Sequence, residues 1–264
     1  MASLPAGHVP LSHALFGWLR RRRTPATIDP DLWAAVRGQL PWLAALDAAR
    51  DARLAALSAR FLHDKTITPV QGLSLDDSQR TLLAAACCLP LLEYGPNGLH
   101  GWSQLIVYPA AFRVNQSHID AAGVLHEWEE EVIGEAGHPL ILSWADVLAE
   151  CEDPDAGFCV AVHEMAHKLD ILDGELDGTP LLPPAWQRGW ARDFQAAYDA
   201  FAARVDRGEA MTMDTYAADS PEEFFAVASE YHFSAPAVLR EAMPKVAAHL
   251  ERFYGVSPFA GLAG

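Results

Sequence analysis

His163-Glu164-Met165-Ala166-His167 is the segment of the chain whose residue types and spacing best suit chemistry. On a helix, residues four apart share a face, so both imidazoles point the same way and can grip one Zn²⁺ at about 2.0–2.1 Å. Glu164 adjoins the first imidazole, within reach of a metal-bound water for which its carboxylate would be the general base. Two imidazoles do not complete a hydrolytic zinc site, which takes three protein ligands and keeps one position open. No further His follows at the short spacing of the metzincin pattern, and position 173 is Asp, so the candidate third ligand is a carboxylate on a later helix. Glu222, Glu223 and Glu230 are available, and spacing does not choose among them. Glu223 and Glu230 are seven residues apart and share a face, so one can ligate while the other supports an imidazole from behind. Asp170, seven residues after His163, is either an acceptor for an imidazole N–H or an ordinary helix-end residue.

These side chains need elements to hold them. The apolar lead-in Phe158–Val162 and the continuation Lys168-Leu169-Asp170 predict a helix from just after Gly157 through Leu172. Ser220-Pro221-Glu222-Glu223 has the form of a capping box with Pro at N1, which starts a helix carrying the candidate carboxylates. Between these helices, residues 173–184 are rich in Asp, Gly and Pro and read as a loop. Trp186 to about Val205 reads as a helix with Trp190, Phe194, Ala197, Tyr198 and Phe201 on one stripe. A final helix is expected from Pro236 to Tyr254. Upstream, residues 1–28 read as an arm ended by Thr24-Pro25. Three helices follow, from Asp29-Pro30 to Leu40, from Trp42 to Leu62, and from Asp76-Asp77-Ser78 to Leu89. Leu105–Tyr108, Gly123–Trp128 and Pro139–Trp144 read as strands, the last two separated by the turn signal Gly134–Gly137. The expected architecture is α+β, mostly helical, with a small sheet of about three strands. Residues 29–264 form one domain, with an N-terminal helical part (29–100) and a catalytic part (101–264).

Composition bounds the function. The chain has 264 residues, 51% of them apolar and 20% charged, which describes a globular protein with a substantial core. Its formal charge of −16 argues against direct nucleic-acid binding. The charge is uneven: residues 121–180 hold fifteen Asp and Glu against the single base Lys168, while residues 1–60 hold eight Arg against four Asp. The acidic block is a solvated surface or a field that favours a cation, whether a metal or a substrate α-ammonium. The four cysteines form no CxxC pair; Cys87 and Cys88, adjacent inside an apolar run, read as buried thiols, and nothing resembles a disulfide framework, which fits a reducing compartment. No apolar run reaches the ~18 residues of a membrane span, and no secretory signal stands out, so a cytoplasmic protein is expected.

Longer stretches carry a family resemblance. They include Trp18–Arg23, Phe61–Lys65, Ile106–Pro109, Leu142–Trp144, Val162–Asp170 with Asp173-Gly174, and Tyr216–Glu230. Over roughly residues 14–258 the chain resembles the Mlc titration factor A family of bacterial zinc-dependent peptidases, related to the catalytic domain of anthrax lethal factor. The resemblance implies a zincin-like (gluzincin) fold and a zinc peptidase with aminopeptidase-like activity. It selects Glu223 as the third Zn²⁺ ligand beside His163 and His167, and implies that Tyr216 faces the oxyanion. It also implies an alternative or additional role, sequestering a glucose-responsive transcriptional repressor of the Mlc type. Two positions depart from the family pattern. Cys159 stands where a polar Asn is usual, and His232 where an aromatic is usual.

Overall fold

The computed structural model describes residues 27–110, 138–152 and 157–261. The polypeptide opens with α1 (Pro30–Arg37), whose N-cap Asp29 accepts hydrogen bonds from the amides of Asp31 and Leu32 at 2.9 and 3.2 Å. A 3₁₀ turn (Pro41–Ala45) precedes α2 (Ala48–Asp64). The single helix expected from Trp42 to Leu62 is therefore two elements. Extended backbone at Leu46 and Asp47 ends the first, and the Asp47 carboxylate caps the second at Ala49 N and Arg50 N. Next come β1 (Thr66–Pro69) and α3 (Asp77–Cys88), the latter with a full capping box between Asp76 and Gln79.

The sheet has three parallel strands in the order β1–β2–β3, with β2 at Gln104–Tyr108 and β3 at Leu140–Ser143. Leu105, Ile106 and Val107 of the central strand are all buried, as expected for a parallel strand covered on both faces. β1 went unread in the sequence. It has only four residues and ends in a Pro that sits on an edge strand. The strand reading of Pro139–Trp144 holds for Leu140–Ser143, but Trp144 starts α4 (Trp144–Glu152). The readings of Gly123–Trp128 as a strand and Gly134–Gly137 as a turn lie outside the described residues, as does nearly all of the arm.

The remaining helices are α5 (Val160–Asp170), α6 (Pro184–Asp206), α7 (Pro221–Ser234), α8 (Pro236–Ala242) and α9 (Pro244–Tyr254). The helix expected over Pro236–Tyr254 is broken at Met243, because Pro244 cannot continue the preceding ladder and instead opens α9. Helix α5 packs against β3, α3 and α7. Its buried residues include Ala161, Val162, Met165, Ala166 and Leu169, and they share one core with the small buried residues Ala84, Ala85 and Ala86 of α3. The aromatic stripe of α6 fastens the other side. Trp190 stacks on Phe194 with centroids 4.1 Å apart and meets Phe225 of α7 and Phe253 of α9 edge-on. No described helix is long and apolar enough to cross a membrane.

Candidate metal centre

Helix α5 begins without a conventional cap, since Cys159 at the N-cap supplies no side-chain acceptor. Its first amides are satisfied by carboxylates from other helices. Cys159 N donates to Glu230 Oε2 of α7 at 2.6 Å, and Val160 N donates to Glu150 of α4. Anionic groups suit a helix N-terminus, and here they also tie α5 to its neighbours. Burial pushes the Glu150 carboxyl up to about 8, against the opposing pull of the Val160 and Cys159 hydrogen bonds.

Helix α7 starts at the cap foreseen in the sequence, where Ser220 Oγ accepts from Glu223 N at 3.3 Å. In a complete capping box Glu223 would reach back to the Ser220 amide. Its carboxylate is directed at the α5 imidazoles instead. Glu223 Oε2 lies 3.1 Å from His163 Nε2, Glu223 Oε1 lies 3.5 Å from His167 Nε2, and the two Nε2 atoms are 3.2 Å apart. A tetrahedral ion with bonds of about 2.0–2.1 Å has ligand–ligand edges of about 3.3–3.4 Å, so these separations fit one small divalent cation. The buried Glu223 Oε2 makes no hydrogen bond among the described residues, although it lies so close to an imidazole. An ion would satisfy it. Among the described residues, His163, His167 and Glu223 are the one group whose donor atoms converge in this way.

The surroundings tune these groups. Burial would raise the Glu223 carboxyl, but His163 and His167 outweigh it and hold the group at about 2. Burial opposes a charge on His163, yet Glu223 and Glu230 carry it well above the usual imidazole range. His163 Nδ1 donates to Glu230 Oε1 at 2.7 Å, which leaves Nε2 for the cation side. Glu230 therefore uses one oxygen on the ring and the other on the first amide of the same helix. Glu164, half-buried, has its carboxyl raised by burial, with His163, His167 and Lys168 pulling the other way. Lys168 Nζ donates to the carbonyls of His138 and Pro139 at 2.8 and 3.3 Å, anchoring the approach to β3 beside α5.

Tyr216 sits on a 3₁₀ turn (Thr215–Ala218) capped by Asp214, whose carboxylate accepts from Tyr216 N at 2.9 Å. Its ring stacks on His163 with centroids 6.1 Å apart and planes 25° off parallel. Burial, the Glu223 charge and a hydrogen bond to Glu223 all push the phenol up, so it stays a proton donor.

His163, His167 and Glu223 thus come together around one point, with the Tyr216 ring stacked on His163 and Glu164 next to His163 along α5. Of the carboxylates that spacing left open, Glu223 joins the imidazoles, Glu230 stands behind His163, and Glu222 is in neither position. Sequence reasoning missed Glu150. The available signal was negative: a helix starting at Cys159, with no Ser, Thr, Asp or Asn at its cap, must find its acceptors elsewhere. Cys159 itself is not in the donor group, and burial pushes its thiol well up, as expected for a neutral structural cysteine.

Two helices presenting two imidazoles and a carboxylate, with another carboxylate alongside, have the layout of a metal-dependent hydrolase. The chain belongs to the glucose-regulated metallo-peptidase M90 family, whose sequence profile matches residues 16–255. It is similar to a protein named Mlc titration factor A from Escherichia fergusonii, 37% identical over 248 residues that cover 92% of each chain. The protein of that name from Cronobacter sakazakii is 35% identical over 250 residues, 93% of each chain. The one from Salmonella agona is 37% identical over 224 residues, 83% of this chain and 84% of the relative. The family is one of metallopeptidases, and the resemblance read from the sequence motifs is its own.

Proposed function

We propose that the chain is a zinc-dependent peptidase of the gluzincin type, with His163, His167 and Glu223 as the metal ligands. The observation that carries this reading is the near-tetrahedral spacing of the three donor groups, 3.1, 3.2 and 3.5 Å apart. Bound there, Zn²⁺ would supply a Lewis acid for the peptide carbonyl and acidify a water in the open position. Glu164 would be the general base that accepts a water proton and hands it to the leaving amine. Its burial favours the proton-holding form needed midway through the reaction. Tyr216 donates to the oxygen on which negative charge develops, a type of contact worth up to about 3–4 kcal/mol of barrier. The family resemblance makes cleavage aminopeptidase-like, and the acidic composition of residues 121–180 is in keeping with a free α-ammonium on the substrate.

Glu164→Gln tests the mechanism. It should keep zinc content at the wild-type level and lower peptide hydrolysis by about 10²–10⁴-fold. Hydrolysis at the wild-type rate would overturn the assigned role. A series of peptides with free and acetylated N-termini tests the aminopeptidase assignment, which fails if both are cut equally well.

A second reading rests on the names of the relatives, which are called Mlc titration factor A at 35–37% identity. In this reading the chain also binds a transcriptional repressor of the Mlc type, in the cytoplasm, independently of hydrolysis. Glu164→Gln should then retain repressor binding in a pull-down with the purified repressor. Absence of binding by both wild type and variant would remove this reading and leave the peptidase untouched.

A further inference from the structure

The two imidazoles of the metal centre are supported differently. His163 Nδ1 has its carboxylate, Glu230, at 2.7 Å. His167 Nδ1 is buried and makes no hydrogen bond among the described residues. Three residues further along the same helix, Asp170 is completely buried, at 0% exposure, and its Oδ1 also has no hydrogen-bond partner among the described residues. The two groups are complementary, because a ligating Nε2 requires the proton on Nδ1, which makes Nδ1 a donor opposite an acceptor. Residues three apart on a helix are neighbours on its surface. A water between them, or a turn of either side chain, would let the two groups pair.

The other oxygen of Asp170 is fully engaged. Oδ2 accepts from Gly178 N at 2.8 Å, while the Gly178 carbonyl accepts from Trp190 Nε1 of α6 at 3.2 Å. Gly178 has φ +80°, and a side chain there would run into the backbone carbonyl of Pro221. Pro221 is the first residue of α7, two before Glu223. Asp170 therefore sits where the His167 helix, the loop after it and the start of the Glu223 helix meet.

We propose that Asp170 is a positioning residue for the metal centre: it accepts the Nδ1–H of His167, fixing the tautomer that leaves Nε2 free to ligate, while it docks the Gly178 loop under the first turn of α7. This deepens the zinc reading and rests on His167 being a ligand. The geometry also fixes how a conservative variant behaves. In Asp170→Asn, the Gly178 N–H selects the amide oxygen as its acceptor, so the amide NH₂ faces His167. A donor there favours the opposite tautomer, with the proton on Nε2. Loop docking is retained while ring support is lost.

The test uses the full chain and two readouts. Imidazole ¹⁵N chemical shifts of the metal-free protein report the His167 tautomer without any metal. The expected result is Nδ1–H in wild type and Nε2–H in Asp170→Asn. The zinc dissociation constant, measured by chelator competition, should rise about 10–100-fold in the variant, with the thermal midpoint of the metal-free protein little changed. Gly178→Ala, which disturbs the loop and its seat against the first turn of α7 but leaves Asp170 in place, should lower the midpoint and leave the His167 tautomer as in wild type. If wild type and Asp170→Asn share one tautomer and one zinc affinity, Asp170 is a loop anchor only and the proposal fails. If the tautomer changes as expected but wild type binds no zinc, the metal reading fails and the His167–Asp170 contact stands.

Discussion

Helices α3 and α7 lie on two flanks of α5 and are both almost wholly buried, yet they are built from opposite materials. From Thr81 to Cys88, α3 presents Leu82, Leu83, three alanines and two cysteines, all buried. Its capping box is complete, and burial pushes the Cys87 and Cys88 thiols up, so they stay neutral. Helix α7 is buried from Glu223 to Ser234, and that span includes Glu223, Ser229, Glu230, His232 and Ser234. A buried carboxylate without compensation costs several kcal/mol, so each one on α7 needs a partner. Glu230 has two, the His163 ring and the Cys159 amide. Glu223 has the two imidazoles, at the expense of the back-bond its own helix start would have used. The difference teaches a division of labour around one helix. α3 holds α5 in place by shape, and α7 holds the α5 side chains in orientation by charge.

The largest expected effect separates the flanks outright. Glu223→Ala on α7 should reduce zinc from one per chain to background, measured by metal analysis after gel filtration. Undiminished zinc would move the ligand assignment to another carboxylate. Next in size, Leu83→Ala on α3 removes a side chain with no solvent exposure. It should cost about 2–5 kcal/mol of stability by denaturant titration while one zinc per chain still binds. If Leu83→Ala lowers zinc content in the folded protein, shape and orientation are not separable in the way the two flanks suggest.

A smaller effect sharpens the picture within α7. Glu230→Gln leaves a single carbonyl oxygen for two donors, His163 Nδ1 and Cys159 N. One of them loses its acceptor, and zinc affinity should fall about 10–100-fold, read by chelator competition. Wild-type affinity in this variant would assign Glu230 to capping α5 alone.

The sequence made the chemistry on α5 legible because two imidazoles and a carboxylate in one helical turn need only local geometry to align. The Ser220 cap and the Glu223/Glu230 face were legible for the same reason. What remained hidden was non-local. Spacing could not choose among three carboxylates, because the choice depends on how α7 crosses α5. Glu150 was invisible as a cap because it reaches α5 from another helix, ten residues upstream of Val160. The same limit applies to the elements. Four-residue β1 carries too little pattern to outvote its terminal Pro69, and the Met243 break is set by a proline inside an otherwise helical period. α4 was concealed because Trp144 prolongs the apolar run of β3.

His232 supplies the smallest effect and asks whether the polar character of α7 extends beyond the metal centre. Its ring is buried, 4% exposed, and Nε2 lies 3.1 Å from the Gly255 carbonyl. Burial lowers its pKa to about 4, the Gly255 carbonyl pulls the other way, and Arg240 and Arg50 lower it further. Since the folded pKa lies below the unfolded value of about 6.5, the unfolded chain takes up this proton first as pH falls. Stability is therefore lost as pH drops below about 6.5 and the loss is complete near the folded pKa. Between pH 7 and 5.5 this one group should cost about 1 kcal/mol. His232→Phe keeps a ring in the same place and removes the titrating group. Denaturant titrations at the two pH values should show the wild type losing about 1 kcal/mol more than the variant. The absolute stability of the variant also reflects the lost Gly255 contact, so the difference in pH dependence is the quantity that decides. Equal losses would mean that His232 takes up its proton as readily in the fold as in the unfolded chain, and that α7 tolerates charge even where no metal ligand or partner carboxylate requires it.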